Sequence, residues 1–161
     1  MKTLVRVVAV AAFLFALPAL AASDIVTDAG VTFKAPAGWT VKTDKGATLV
    51  SSPDGAVTMQ ILAFGAADAE KAMAELEKTV TQKVKDFKET SEAKEIEISG
   101  MKGVLGEAKG KVDGRDVEVG LMMLFTPSNR FFLMVTLVDP ARATKHEKAF
   151  ADFLQSIQPK K

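Results

Sequence analysis

The spacing of apolar residues changes period several times along the chain, and each change marks a predicted element. Val31, Phe33 and Ala35 alternate with polar residues, as on a strand with one covered face. Pro36 and Gly38 end that pattern, and Trp39-Thr40-Val41 restarts an extended segment. Ala47 to Ser51 and Ala56 to Phe64 flank Ser52-Pro53-Asp54-Gly55, a turn tetrapeptide in which Pro presets φ and Gly tolerates positive φ. In the second arm Val57, Met59, Ile61 and Ala63 share a face. From Asp68 to Lys88 the period lengthens. Ala69, Met73, Leu76, Val80, Val84 and Phe87 recur every three or four residues, which predicts an amphipathic helix with Asp68 as its cap.

Alternation returns at Glu95–Ser99, with Ile96 and Ile98 facing inward. Gly100–Gly103 is read as a turn. Val104–Val112 and Arg115–Thr126 are joined through Asp113-Gly114, a two-residue hairpin signal. Arg130–Val138 follows Pro127-Ser128-Asn129. A last helix is predicted over 140–158, with Asp139 or the capping box Thr144-x-x-Glu147 at its start. Ala149, Phe150, Phe153, Leu154 and Ile157 form its apolar stripe.

Two strands set the expected architecture. Leu121–Phe125 and Phe131–Val135 are apolar at every position, and successive side chains of a strand point to opposite faces. Both are therefore predicted to be covered on two sides. With two amphipathic helices available and short turns that make neighbours antiparallel, the expected fold is α+β. It is a three-layer α/β/α sandwich with a mostly antiparallel sheet and one main helix on each face.

Residues 1–21 are read as a secretory signal peptide, ahead of a single domain over 22–161. Lys2 and Arg6 form the positive region, Val7–Leu17 the apolar run, and Ala19-Leu20-Ala21 the cleavage pattern. The run is short of the roughly 20 apolar residues of a bilayer-spanning helix, so no membrane span is expected after cleavage. No Cys is available for a lipid anchor. The expected location is the periplasm.

Cleavage leaves 140 residues with 19 basic and 20 acidic side chains, a balance without attraction for nucleic acid or anionic lipid. The absence of cysteine excludes disulfides, thiol nucleophiles, thiolate zinc sites and iron–sulfur clusters, and a single histidine excludes multi-histidine metal sites. His146-Glu147 lacks the second histidine of a zinc-protease helix, and His146 is read as a surface residue. A serine–histidine–acid triad finds no Gly-x-Ser-x-Gly elbow. Asp113, Asp116 and Glu118 lack calcium-loop spacing and read as a solvated hairpin tip. Met59, Met73, Met101, Met122, Met123 and Met134 would offer soft ligands to copper(I), but adjacent Met122 and Met123 must face apart on a strand. They read as core filler, and Trp39 as a core anchor.

The segment Val31-Thr-Phe-Lys-Ala-Pro-Ala-Gly-Trp39 resembles the strand-then-Pro-x-Gly-Trp opening of the PsbP-like superfamily. The order that follows is similar too: hairpin, helix, long meander, and a last helix ending Phe153-Leu-Gln-Ser-Ile157. Exported bacterial DcrB-like proteins are among its members. The resemblance implies the same α/β/α sandwich and carries no catalytic, cofactor or metal residue onto this chain. The expected function is a non-catalytic exported module that binds a protein or envelope component through a sheet edge or loops. The alternative is a binder of a small apolar ligand in a cleft between sheet and helix, lined by Phe and Met.

Overall fold

The computed structural model describes residues 24–44 and 46–160, so the signal-peptide reading of residues 1–21 lies outside the described residues. The elements are β1 (Asp24–Val26), β2 (Val31–Lys34), β3 (Thr40–Asp44), β4 (Ala47–Ser51), β5 (Val57–Gly65), α1 (Ala69–Lys83), β6 (Lys85–Ile98), β7 (Met101–Val112), β8 (Arg115–Phe125), β9 (Arg130–Val138), α2 (Glu147–Ser156) and β10 (Gln158–Pro159). Single 3-10 turns, Ala66–Asp68 and Ala143–His146, lead into α1 and α2. Seven strands form one sheet in the order β3-β4-β5-β9-β8-β7-β6, and β1-β2-β10 form a second, smaller one. All pairings are antiparallel. Among the described residues no helix is long and apolar enough to cross a membrane.

The predicted hairpins form where their turn residues demand. Asp113 and Gly114 both adopt positive φ (50° and 76°), the conformation of the tight β7–β8 turn. Gly55 does the same at the β4–β5 turn, where Ser52 N–H donates to Val57 O.

β9, apolar at every position from Phe131 to Val135, lies at the centre of the seven-stranded sheet. Its side chains divide the core. Phe132 and Met134 join Met59, Ile61, Met122, Leu124, Phe33, Phe153 and Ile157 in one cluster. Leu133 and Val135 join Phe64, Leu76, Val80, Val84 and Val119 in the other. The two helices thus pack into different clusters, separated by the strand's own alternation. β8 matches its prediction less fully, because Phe125 at its end is 47% exposed.

Four expectations are corrected. The β6–β7 turn is Ser99-Gly100, both at positive φ, instead of Gly100–Gly103, and β7 starts at Met101 instead of Val104. α1 ends at Lys83 instead of Lys88, and the next strand begins at Lys85 instead of Glu95. Val84 turns extended and is buried against Gly110, where any Cβ would overlap its Cγ1. Asp86, at φ 53°, then bends the chain into the sheet. The sequence's helical stripe therefore runs on past the helix. The last helix is also shorter than 140–158: its first turn is 3-10, and neither Thr144 nor Asp68 makes a side-chain cap bond. Asp139 instead accepts from the Ala141 N–H at 3.1 Å and starts the turn. Finally, α2 does not work alone on its face. It packs with the small sheet, through Phe33 and Phe153 at 5.3 Å, and Phe33 reaches Phe132 at 6.5 Å.

Candidate functional site

Two places gather chemically notable side chains. The first is the β4–β5 turn. Asp54 Oδ1 accepts from Ser52 Oγ at 2.9 Å, from the Ala56 N–H at 3.2 Å and from His146 Nε2 at 2.8 Å. Lys145 Nζ lies 2.9 Å from Oδ2, and Arg142 donates to the Asp54 carbonyl at 3.1 Å. The Lys145 ammonium, chiefly, holds this carboxyl far below the usual range, aided by the Ser52, Ala56 and His146 donors and opposed by partial burial. Asp139 is lowered too, first by its bond from Arg142 Nε at 2.8 Å.

An ionised carboxylate only accepts, so Nε2 of His146 carries the proton in this contact. The ring packs edge-on against Trp39 with centroids 5.6 Å apart. The sequence reads His146 as a surface residue, and the structure corrects this. Its side chain is 12% exposed, because Asp54, distant in sequence, receives it. The order of groups is wrong for a nucleophile. In a triad the histidine stands between serine and acid. Here the acid stands between, and Ser52 Oγ, 4% exposed, donates to it while accepting from the Val57 N–H at 3.0 Å. The cluster ties a hairpin to the start of the last helix.

The second place is a cleft of about 680 Å³ between α2 and the outer half of the large sheet. Its volume falls within the range of small-molecule sites. Strand register arranges its floor in cross-strand rows. Leu105, Met122 and Met134 form one row, Glu107, Gly120 and Thr136 the next, and Lys109, Glu118 and Val138 the third. Phe150 and Leu154 of α2 form one wall, and Ile96 and Ile98 of β6 the other. α2 and the small sheet cover Met59, Ile61, Phe132 and Leu124, but Leu105, Val138, Ile96 and Ile98 remain only partly buried. The carboxylates of β7 and β8 here are matched: Lys94–Glu107 at 3.5 Å, Lys109–Glu118 at 3.7 Å and, farther out, Lys111–Asp116 at 3.4 Å.

Sequence-noted residues distribute accordingly. Asp116 and Glu118, raised as calcium donors, each pair with a lysine, while Asp113 stays exposed at the turn. Met122 and Met134 lie side by side on the cleft floor, whereas Met123 packs in the opposite cluster and Met73 is 41% exposed on α1. Trp39 packs against the core, not in the cleft. Gly120 and Thr136 carried no signal in the sequence, since only the β8–β9 register makes them neighbours.

No family model and no curated protein matches the sequence. Solved structures do match its fold. Cyanobacterial PsbP from Synechocystis sp. PCC 6803 superposes with a TM-score of 0.58 at 12% identity, over 84% of this chain and 90% of that one. A protein from Bacteroides thetaiotaomicron VPI-5482 gives 0.58 at 16% identity over 87% of this chain, which spans about half (49%) of the Bacteroides chain. LpqN of Mycobacterium tuberculosis, described as involved in cell envelope biogenesis, gives 0.50 at 13% identity, over 86% of this chain and 84% of that one. The narrower DcrB-like placement rests on the sequence resemblance alone. The chain has a PsbP-like fold.

Proposed function

We propose that the protein is an exported, non-catalytic binding module, a three-layer α/β/α sandwich with one outer layer left incomplete, and that it holds a small apolar envelope component in the gap. The observation that carries this reading is the cleft itself. Apolar side chains of β6, β7 and β9 extend past the cover that α2 and the small sheet provide. Uncovered apolar surface of this kind is stabilised by a ligand. Export is supported by the leader pattern of residues 1–21 and by the envelope role stated for LpqN. The absence of catalysis is supported by the Ser52–Asp54–His146 order, in which no nucleophile is activated.

Binding through a sheet edge has less support. β6 is an edge strand rich in Lys and Glu, with register shifts between Lys85 and Lys88, Glu89 and Ser91, and Ser91 and Lys94. The opposite edge, β3, is exposed throughout and carries Lys42 and Asp44. Charge and bulges of this kind discourage strand addition.

The test uses N-phenyl-1-naphthylamine, an uncharged apolar probe whose emission rises in apolar surroundings, with a Gly120→Leu variant. A Cβ at Gly120 would meet nothing nearer than Thr136 Cβ at 3.7 Å, so the longer side chain fills the cleft without disturbing the strand. The parent should enhance the probe's emission, and the variant should lose that enhancement at unchanged melting temperature. Equal enhancement by both proteins would remove the cleft from the account.

A further inference from the structure

The middle row of the cleft floor is unlike its neighbours. Thr136 is 4% exposed, yet its hydroxyl has no hydrogen-bond partner among the described residues, and it lines the cleft. That hydroxyl opens to the cleft and is free to bond a group held there. Gly120, beside it on β8, is what uncovers it: a Cβ there would stand 3.9 Å from Thr136 Oγ1. On the far side of Gly120 stands Glu107, whose carboxylate accepts from Ser91 Oγ at 3.2 Å and pairs with Lys94 at 3.5 Å. Adjacent strands lie about 4.8 Å apart, so Glu107 and Thr136 flank a bare strip of sheet about 10 Å across. The apolar row of Leu105, Met122 and Met134 lies directly beside this strip, under Leu154 and Phe150.

Building on the cleft as the binding site, we infer that its ligand is an uncharged amphiphile bearing hydroxyl groups. Its apolar chain lies along the methionine row, and its headgroup sits over Gly120 between Thr136 and Glu107. A hydroxyl can both donate and accept, which suits a threonine hydroxyl on one side and a carboxylate on the other. The charges argue against an anionic headgroup. The one lysine that lines the cleft, Lys109, is already paired with Glu118, so a carboxylate entering here would meet Glu107 and Glu118 without a free cation. They argue equally against a requirement for a cation, since Glu107 and Glu118 each have a lysine and Glu97, between Ile96 and Ile98 on β6, presents its side chain to the opposite face.

The test is competition for the naphthylamine probe by two ligands with the same acyl chain, 1-monolauroylglycerol and laurate. The glycerol ester is expected to displace the probe at about tenfold lower concentration than the acid. Thr136→Val should weaken the ester by about three- to tenfold, the effect of one lost hydrogen bond, with little change for laurate or the probe. Thr136→Ser should restore the ester. If laurate competes as well as the ester, or Thr136→Val leaves the ester unaffected while the probe still binds, the headgroup assignment is wrong and the cleft reading stands. If the probe fails to bind the parent, or binds Gly120→Leu equally, the cleft reading itself is wrong.

Discussion

Asp54 shows how much one side chain can organise. It receives a hydroxyl, a backbone N–H and an imidazole N–H on one oxygen, and the Lys145 ammonium lies 2.9 Å from the other as an ion pair. Because these partners favour the charged form, its folded value lies below the ordinary 3.8, with Lys145 the largest cause. The sign follows: its contribution to stability is complete above about pH 4 and is lost as the pH falls below the unfolded value toward the folded one. Urea unfolding of Asp54→Asn against the parent should show the parent more stable at pH 7, with the gap closing below pH 4. His146→Ala removes the Asp54 contact and the Trp39 edge contact together, and should cost about 1–2 kcal/mol. Trp39, the single tryptophan, reports that loss through a changed emission spectrum in the folded state. The sequence displayed the Pro53-Asp54-Gly55 turn but not its partner. Asp54 and His146 are 92 residues apart, and nothing local distinguishes a histidine that will meet a distant carboxylate from one left in solvent.

Among the elements, strands whose neighbours are fixed by short turns are the most legible in the sequence, and Arg130–Val138 is β9 to the residue. β6 is the least legible. As an edge strand it keeps solvent along one side and most of both faces, so its residues show little alternation, and its bulges reset the phase. The helical spacing of Val80, Val84 and Phe87 consequently outweighed it. Glycines offer a check on the strand packing. In β7, a Cβ on Gly103 would overlap the Met123 carbonyl oxygen, whereas on Gly106 it would reach only Leu121 Cβ at 3.9 Å. Gly103→Ala should therefore lose about 1–3 kcal/mol, and Gly106→Ala should be neutral or gain up to about 1 kcal/mol, by thermal or urea unfolding. Phe132→Ala, at a fully buried position shared with Phe33, should cost about 3–5 kcal/mol.

Taken whole, the molecule pairs a seven-stranded sheet with covers of unequal reach. The two fully apolar strands announced a sheet buried in its middle, and that much was legible. The uncovered end was not, because Leu105, Val138, Ile96 and Ile98 look the same in sequence whether a helix or a ligand lies over them. The methionines give the most direct test of the claim that this end is the binding site. Carbon-13 labelling of the methionine methyl groups places reporters on both sides of the sheet. Met122 and Met134 lie on the cleft floor, while Met123 packs on the other face and Met73 is exposed on α1. Titration with 1-monolauroylglycerol should shift the Met122 and Met134 signals in a saturable manner and leave Met73 and Met123 in place. Saturable shifts at Met73 and Met123 with Met122 and Met134 unmoved would contradict the account.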